Sequence, residues 1–171
     1  MVRSALPIAW IALRLLILLN ILYGVAIALL IAMTIIDTDW AMRGLGVADR
    51  PDAPRVLMWM RLAAILGLAA VPLNHAVLAR LLAMVETVRS GSPFVRANAY
   101  RLHAIAWALA GLQLLSMAIA GAARMASSPE HPFRLDAGFS AAGWLAVLMA
   151  FVLARVFAEG TLMREDLDGT I

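Results

Sequence analysis

The stretch IAWIALRLLILLNILYGVAIALLIAMTII, Ile8–Ile36, decides the fold. Arg14 is its one charged side chain. A helix needs about 20 predominantly apolar residues to cross the hydrocarbon core of a bilayer. A backbone in lipid must also satisfy its own hydrogen bonds, which leaves a run of this kind only a spanning helix. Three further runs repeat the pattern: Leu62–Met84, Leu102–Ala123 and Phe139–Ala158, each closed by arginine-bearing polar stretches. The expected fold class is all-α, an integral membrane four-helix bundle. Residues 1–171 form one domain, both termini lie on one side, a connecting loop spans 85–101 and a tail spans 159–171.

Composition agrees. Hydrophobic residues make up 64% of the chain and mean hydropathy is +0.89, too apolar for a soluble domain of ordinary make-up. At 171 residues there is no room for a separate soluble catalytic module. The absence of cysteine excludes disulfides, thiolate metal sites, thiol nucleophiles and cysteine-held iron–sulfur clusters. Every basic residue is arginine, and the pI near 10.5 would suit nucleic acid. The arginines sit mostly at helix ends, where snorkelling to headgroups accounts for them. Direct nucleic-acid binding is therefore not expected.

The first run is too long for the 7–15-residue apolar region of a signal peptide, and no small-x-small site follows Ile36. It reads as a retained anchor entered after Ser4 and Pro7. Pro7–Leu13 is expected at the interface, with Leu15–Ile36 spanning. Loop one, Asp37–Arg55, and loop three, Arg124–Gly138, are polar and turn-rich and share a face. Trp40 and Trp59 fit an aromatic belt. Eight arginines (Arg3, Arg14, Arg80, Arg89, Arg96, Arg101, Arg155 and Arg164) fall on the face with the termini and loop two, against six opposite. The positive-inside rule then puts the termini in the cytoplasm.

Loop two has a readable grammar. The second helix runs on through Arg89, and Gly91 ends it in a left-handed turn. Ser92 is then the N-cap and Pro93 the first position of the next helix. Phe94, Val95 and Ala97 form an apolar face, with Asn98 and Arg101 on the polar part. A tight connector whose arginines meet lipid phosphates explains this loop; so does a docking surface for a cytosolic partner. Val77-Leu78-Ala79-Arg80 recurs as Val152-Leu153-Ala154-Arg155, and Ile8-Ala9-Trp10 as Ile105-Ala106-Trp107. Echoes this short arise readily in Ala/Leu-rich sequence, although both pair the same helix ends.

The stretch from Gly91-Ser92-Pro93-Phe94-Val95-Arg96-Ala97-Asn98-Ala99-Tyr100-Arg101-Leu102 through Leu112-Gln113-Leu114-Leu115 resembles a bacterial membrane family. So does the ending Val156-Phe157-Ala158-Glu159-Gly160 to Gly169-Thr170-Ile171. The family is catalogued as domain of unknown function twenty-nine seventy-five. The resemblance implies a multi-pass protein of the bacterial inner (plasma) membrane with cytoplasmic termini. It also implies a neighbouring gene for a small helix-turn-helix regulator resembling the Cro/repressor class. No catalytic residues come with it.

Polar residues inside spans are costly in lipid. Asn20, Asn74, His75, Gln113 and Ser116 are of this kind. They hydrogen-bond between helices and set the packing, or they form a track for an ion, a proton or a small ligand. Pro72 frees a carbonyl just before Asn74-His75 and predicts a kink. Haem does not fit, because His75 and His103 differ in depth by about 7–10 Å at a rise of 1.5 Å per residue. His131 lies in loop three. No metal-binding helix motif, phosphate-cradling loop or serine elbow is present. No cofactor, metal or catalytic residue is assigned.

Beyond Arg155 the chain is expected to leave the membrane through Glu159, Arg164, Glu165, Asp166 and Asp168, with Leu162, Met163, Leu167 and Ile171 apolar among them. A frayed terminus accounts for it; so does an amphipathic segment that binds a partner. Two functions follow. The favoured one is a non-enzymatic regulatory protein that holds a cytosolic helix-turn-helix transcription regulator through Arg89, Phe94, Arg96, Asn98, Leu162, Glu165, Asp166 and Leu167. The alternative is a small transporter or channel component built on the intramembrane polar residues. The lipid bilayer is a partner in both, and a homo-oligomer is allowed.

Overall fold

The computed structural model describes residues 2–91, 93–127 and 137–168, and side chains within 6–91, 93–127 and 137–164. Its elements are α1 Val2–Ile36, α2 Thr38–Gly44, α3 Ala53–Arg89, α4 Arg96–Ala126 and α5 Ala141–Asp168, with no strand among the described residues. Helices α1, α3, α4 and α5 are long and apolar enough to cross a membrane. Only 6% of the most apolar window of α1 is buried within the chain, and no more than 22% of the corresponding windows of the others. Side chains such as Leu15, Leu22 and Leu29 stand exposed. So much bare apolar surface needs an apolar surrounding, which is compatible with a multi-pass membrane protein.

Helix ends depart from the expected ones in instructive ways. Helix α1 begins at Val2 and carries Pro7 inside it, instead of starting there. A proline this near the start costs only one backbone hydrogen bond, to the Arg3 carbonyl, so the helix continues through it. Loop one is not all turn. It holds α2, whose N-cap is Asp37, extended at φ −128° and accepting the Trp40 N–H at 2.7 Å. Helix α5 starts at Ala141, leaving Phe139 and Ser140 outside it.

The contacts divide the chain into two compact units. Unit one comprises Met1–Asn20, Leu73–Gly111 and Ala141–Ile171; unit two comprises Ile21–Pro72 and Leu112–Ser140. On α3 the division falls at Pro72, whose missing N–H leaves the Leu68 carbonyl without its helical partner.

Within unit two, α1 approaches α3 at a glycine. A Cβ on Gly24 would stand 2.9 Å from Cγ1 of Val71, so only glycine allows this approach. Val47, Ala53, Val56 and Ala126 form a small core beneath loop one, packed by Met42, Leu45, Trp59 and Met60. Gly46 turns the chain with φ +66°, a left-handed conformation that suits glycine. Arg50 then clamps Asp52 with two hydrogen bonds, at 2.8 and 2.7 Å, just before α3. Ser116 ties α4 to Gly138, accepting its N–H at 3.0 Å and donating to its carbonyl at 3.2 Å.

Candidate functional site

Loop two and the last turns of α5 both belong to unit one, and the structure brings them together. Helix α3 ends as its sequence predicts. Ser90 and Gly91 donate back to the Glu86 and Val88 carbonyls, at 3.0 and 3.1 Å, and Gly91 adopts φ +81°. Ser92, the expected N-cap, lies outside the described residues.

The start of α4 differs from expectation. Pro93–Val95 are not helical and α4 begins at Arg96. The cause is Asn98, which is wholly buried. Its Nδ2 donates to the Pro93 carbonyl and to Thr87 Oγ1, both at 2.8 Å, and its Oδ1 accepts from Arg101 at 2.8 Å. The Thr87 hydroxyl in turn donates to the Met84 carbonyl at 2.7 Å. The Pro93 carbonyl is thereby held by a side chain, which sets the loop in place of a helical turn. Asn98 was expected on a polar face toward a partner; it is instead the tie that fixes the loop to α3.

That tie presents Phe94. Its ring stacks on Phe157 of α5, with centroids 5.3 Å apart and planes 34° apart. It also covers Gly160, where a Cβ would lie 3.2 Å from Phe94 Cδ1. Phe94 as a residue stays 42% exposed, so it can touch a further molecule. Beside it, Arg96, Tyr100, His103, Phe151, Arg155 and Leu162 line an open groove of about 630 Å³. Phe151 and His103 form its aromatic wall and, with Trp107 packed against both, make edge-to-face contacts at 5.5–6.4 Å. Trp107 Nε1 donates to His103 Nε2 at 3.1 Å. Tyr100 and Leu162 are exposed at the rim. Arg155 pairs with Glu159 at 2.7 Å, an exposed bridge one helical turn long and of little energetic weight.

Arg89 serves a second contact of unit one. Trp10 of α1 donates through Nε1 to Glu86 at 3.2 Å, and the guanidinium groups of Arg14 and Arg89 stand 3.8 and 5.7 Å from its ring. These contacts fix the exit of α3 against α1. Sequence reading missed it, because the partners are 76 residues apart. Glu165 and Asp166, with Leu167, lie on the α5 backbone, but their side chains are outside the described ones.

The intramembrane polar residues are spread over both units. Asn20, Asn74 and His75 belong to unit one, Gln113 and Ser116 to unit two. Asn74 and His75 are exposed on α3. Ser116 is bonded to Gly138. Gln113 keeps a buried Oε1 that no described group donates to. His131 is outside the described residues. Among the described residues, no three His, Cys, Asp or Glu side chains converge on a metal-sized space.

A family model described as "Protein of unknown function (DUF2975)" matches residues 7–171. No curated protein and no solved structure matches the chain.

Proposed function

The chain belongs to the DUF2975 family, and from that premise we propose that it is a non-enzymatic regulatory protein of the bacterial inner membrane. It holds a cytosolic helix-turn-helix regulator on a platform made by loop two and the tail. Its termini and loop two face the cytoplasm. The observation that carries this reading is the seating of Phe94 on Phe157 and Gly160. It joins segments 63 and 66 residues apart in the chain into one surface. Phe94, Tyr100 and Leu162 are exposed apolar anchors there, and Arg96 and Arg155 supply a charged rim. Interfaces commonly depend on a few such anchors inside a polar border. Phe94 remains part-exposed after packing on Phe157 and Gly160, which leaves apolar surface for a partner. The neighbouring-gene pattern implied by the family resemblance names its class.

Affinity purification of the tagged protein from native membranes, with identification of what accompanies it, tests the reading. A small helix-turn-helix protein is expected at near-stoichiometric yield. Its absence, with transporter subunits in its place, would overturn the proposal.

A further inference from the structure

A cavity of about 570 Å³ lies wholly within unit two, between α1, α2 and α3, with Ile119 of α4 also lining it. Its wall is apolar along its length: Ile27, Leu30 and Ile31 from α1, Leu57 and Met60 from α3, and Leu45 beyond α2. Gly67 leaves it open, since a Cβ there would meet only Ile27 Cδ1, at 4.0 Å. One end is polar. Arg61 of α3 is held there by α1 and α2, donating to the carbonyl and hydroxyl of Thr34 and to the hydroxyl of Thr38. All these acceptors are uncharged, so the guanidinium keeps its full positive charge at the mouth of an apolar slot. Trp40, 44% exposed, lines the same end.

The dimensions fit one leaflet. From Tyr23 to Thr34 the cavity follows α1 for about 16 Å at a rise of 1.5 Å per residue. Half of a hydrocarbon core of about 30 Å is nearly the same depth. The cation and the indole stand at the end where headgroups begin, beside the break between α1 and α2 at Asp37. The Asp37 carboxylate there accepts the Trp40 N–H through Oδ1 and is not among the groups that Arg61 donates to.

We propose that this cavity is a binding site for an anionic phospholipid of the leaflet on the loop-one side, with an acyl chain between α1 and α3 and its phosphate on Arg61. The site is independent of the platform in unit one. A purely annular lipid would show no headgroup preference. Here the slot takes the chain and Arg61 selects the charge.

Native mass spectrometry of the full-length protein released from bilayers of equal phosphatidylglycerol and phosphatidylcholine tests this. The wild type should retain one phosphatidylglycerol in about fivefold preference, the worth of one arginine beside an anionic group. Arg61→Gln should reduce that preference to parity, whereas Arg61→Lys should keep most of it. Both variants lose the guanidinium fork, so a merely structural role would affect them alike. Gly67→Phe should fill the slot and remove the retained lipid without removing the charge. Equal retention of both lipids by the wild type, equal loss in Arg61→Gln and Arg61→Lys, or an undiminished preference in Arg61→Gln would overturn the assignment.

Discussion

Phe94 lies over Gly160 so closely that a Cβ on the glycine would stand 3.2 Å from one ring carbon and 3.3 Å from the next. The bare backbone of α5 is therefore the floor on which loop two rests. A glycine inside a helix costs about 1 kcal/mol relative to alanine, and here that cost secures the contact.

Substitution at this point separates propensity from sterics. Gly160→Ala should be close to neutral, because the helix gain of about 1 kcal/mol offsets a contact tight by a few tenths of an ångström. Gly160→Leu cannot be absorbed in this way. It should lift Phe94 off Phe157 and cost about 1–3 kcal/mol, the usual penalty for overpacking. Thermal unfolding in detergent reads the difference. Equal melting of the two variants would contradict the seating.

Asn98 is the second point where one side chain decides a loop. Asn98→Leu removes the donors to Thr87 and Pro93 and the acceptor for Arg101 at once. It should destabilise the protein by about 1–3 kcal/mol for each buried group left without a partner. Asn98→Asp should also be destabilising despite its new charge attraction to Arg101. A carboxylate cannot donate to the Pro93 carbonyl or to a Thr87 oxygen whose proton is already given to Met84. A melt of Asn98→Asp at or above wild type would show that the Arg101 pairing alone holds the loop.

The four long helices were legible in the sequence because each needs only a sustained apolar run, a property of residues adjacent in the chain. Gly91 was legible for a similar reason, since a glycine after a basic last turn has few other uses. Asn98 was not legible. Its burial depends on Thr87, eleven residues earlier and on another helix, so Asn98, between Arg96 and Arg101 at the start of α4, reads locally as polar surface. Helix α2 was hidden within a loop of glycines and prolines, although Asp37 followed by Asp39 is an N-cap signal that could have located it. The Trp10–Glu86 contact and the slot beneath Trp40 depend on how helices pack, which periodicity alone does not determine.

Loop one has a titratable feature of its own. The hydrogen bond and charge of Arg50 hold the Asp52 carboxyl below its ordinary value of 3.8. A carboxylate depressed in the folded state adds stability above its unfolded pKa and loses it as pH falls through the folded one. The clamp should therefore persist at neutral pH and open only below about pH 4. Carboxyl NMR titration should place Asp52 below 3.8, and Arg50→Ala should return it to the ordinary range. An unchanged midpoint in that variant would remove the assigned cause.

Beneath the same loop, Val56 is almost wholly buried against Val47, Ala53 and Ala126. Val56→Ala should cost about 2 kcal/mol, from lost burial and the cavity left behind. Limited proteolysis should then cut residues 45–52 faster, while loop two stays protected. Uniform protection of both loops would show that this small core does not order loop one.

The eight-to-six arginine split favours, and the proposed platform predicts, a cytoplasmic loop two and tail. Reporter fusions at residue 171 should be active only as cytoplasmic reporters. Fusions within residues 39–54 should be active only as exported ones. An exported C-terminus would reverse the orientation and leave a cytosolic partner out of reach.

The central claim is that Phe94 and the chain beyond Gly160 form one docking surface. Membrane pulldowns of tagged wild type, Phe94→Ala and a truncation after Gly160, all matched for membrane insertion, test it most directly. The wild type should recover a small helix-turn-helix protein, and each variant should lose at least about nine-tenths of it, as for an anchor worth 1.4 kcal/mol or more. Undiminished recovery with both variants would contradict the platform.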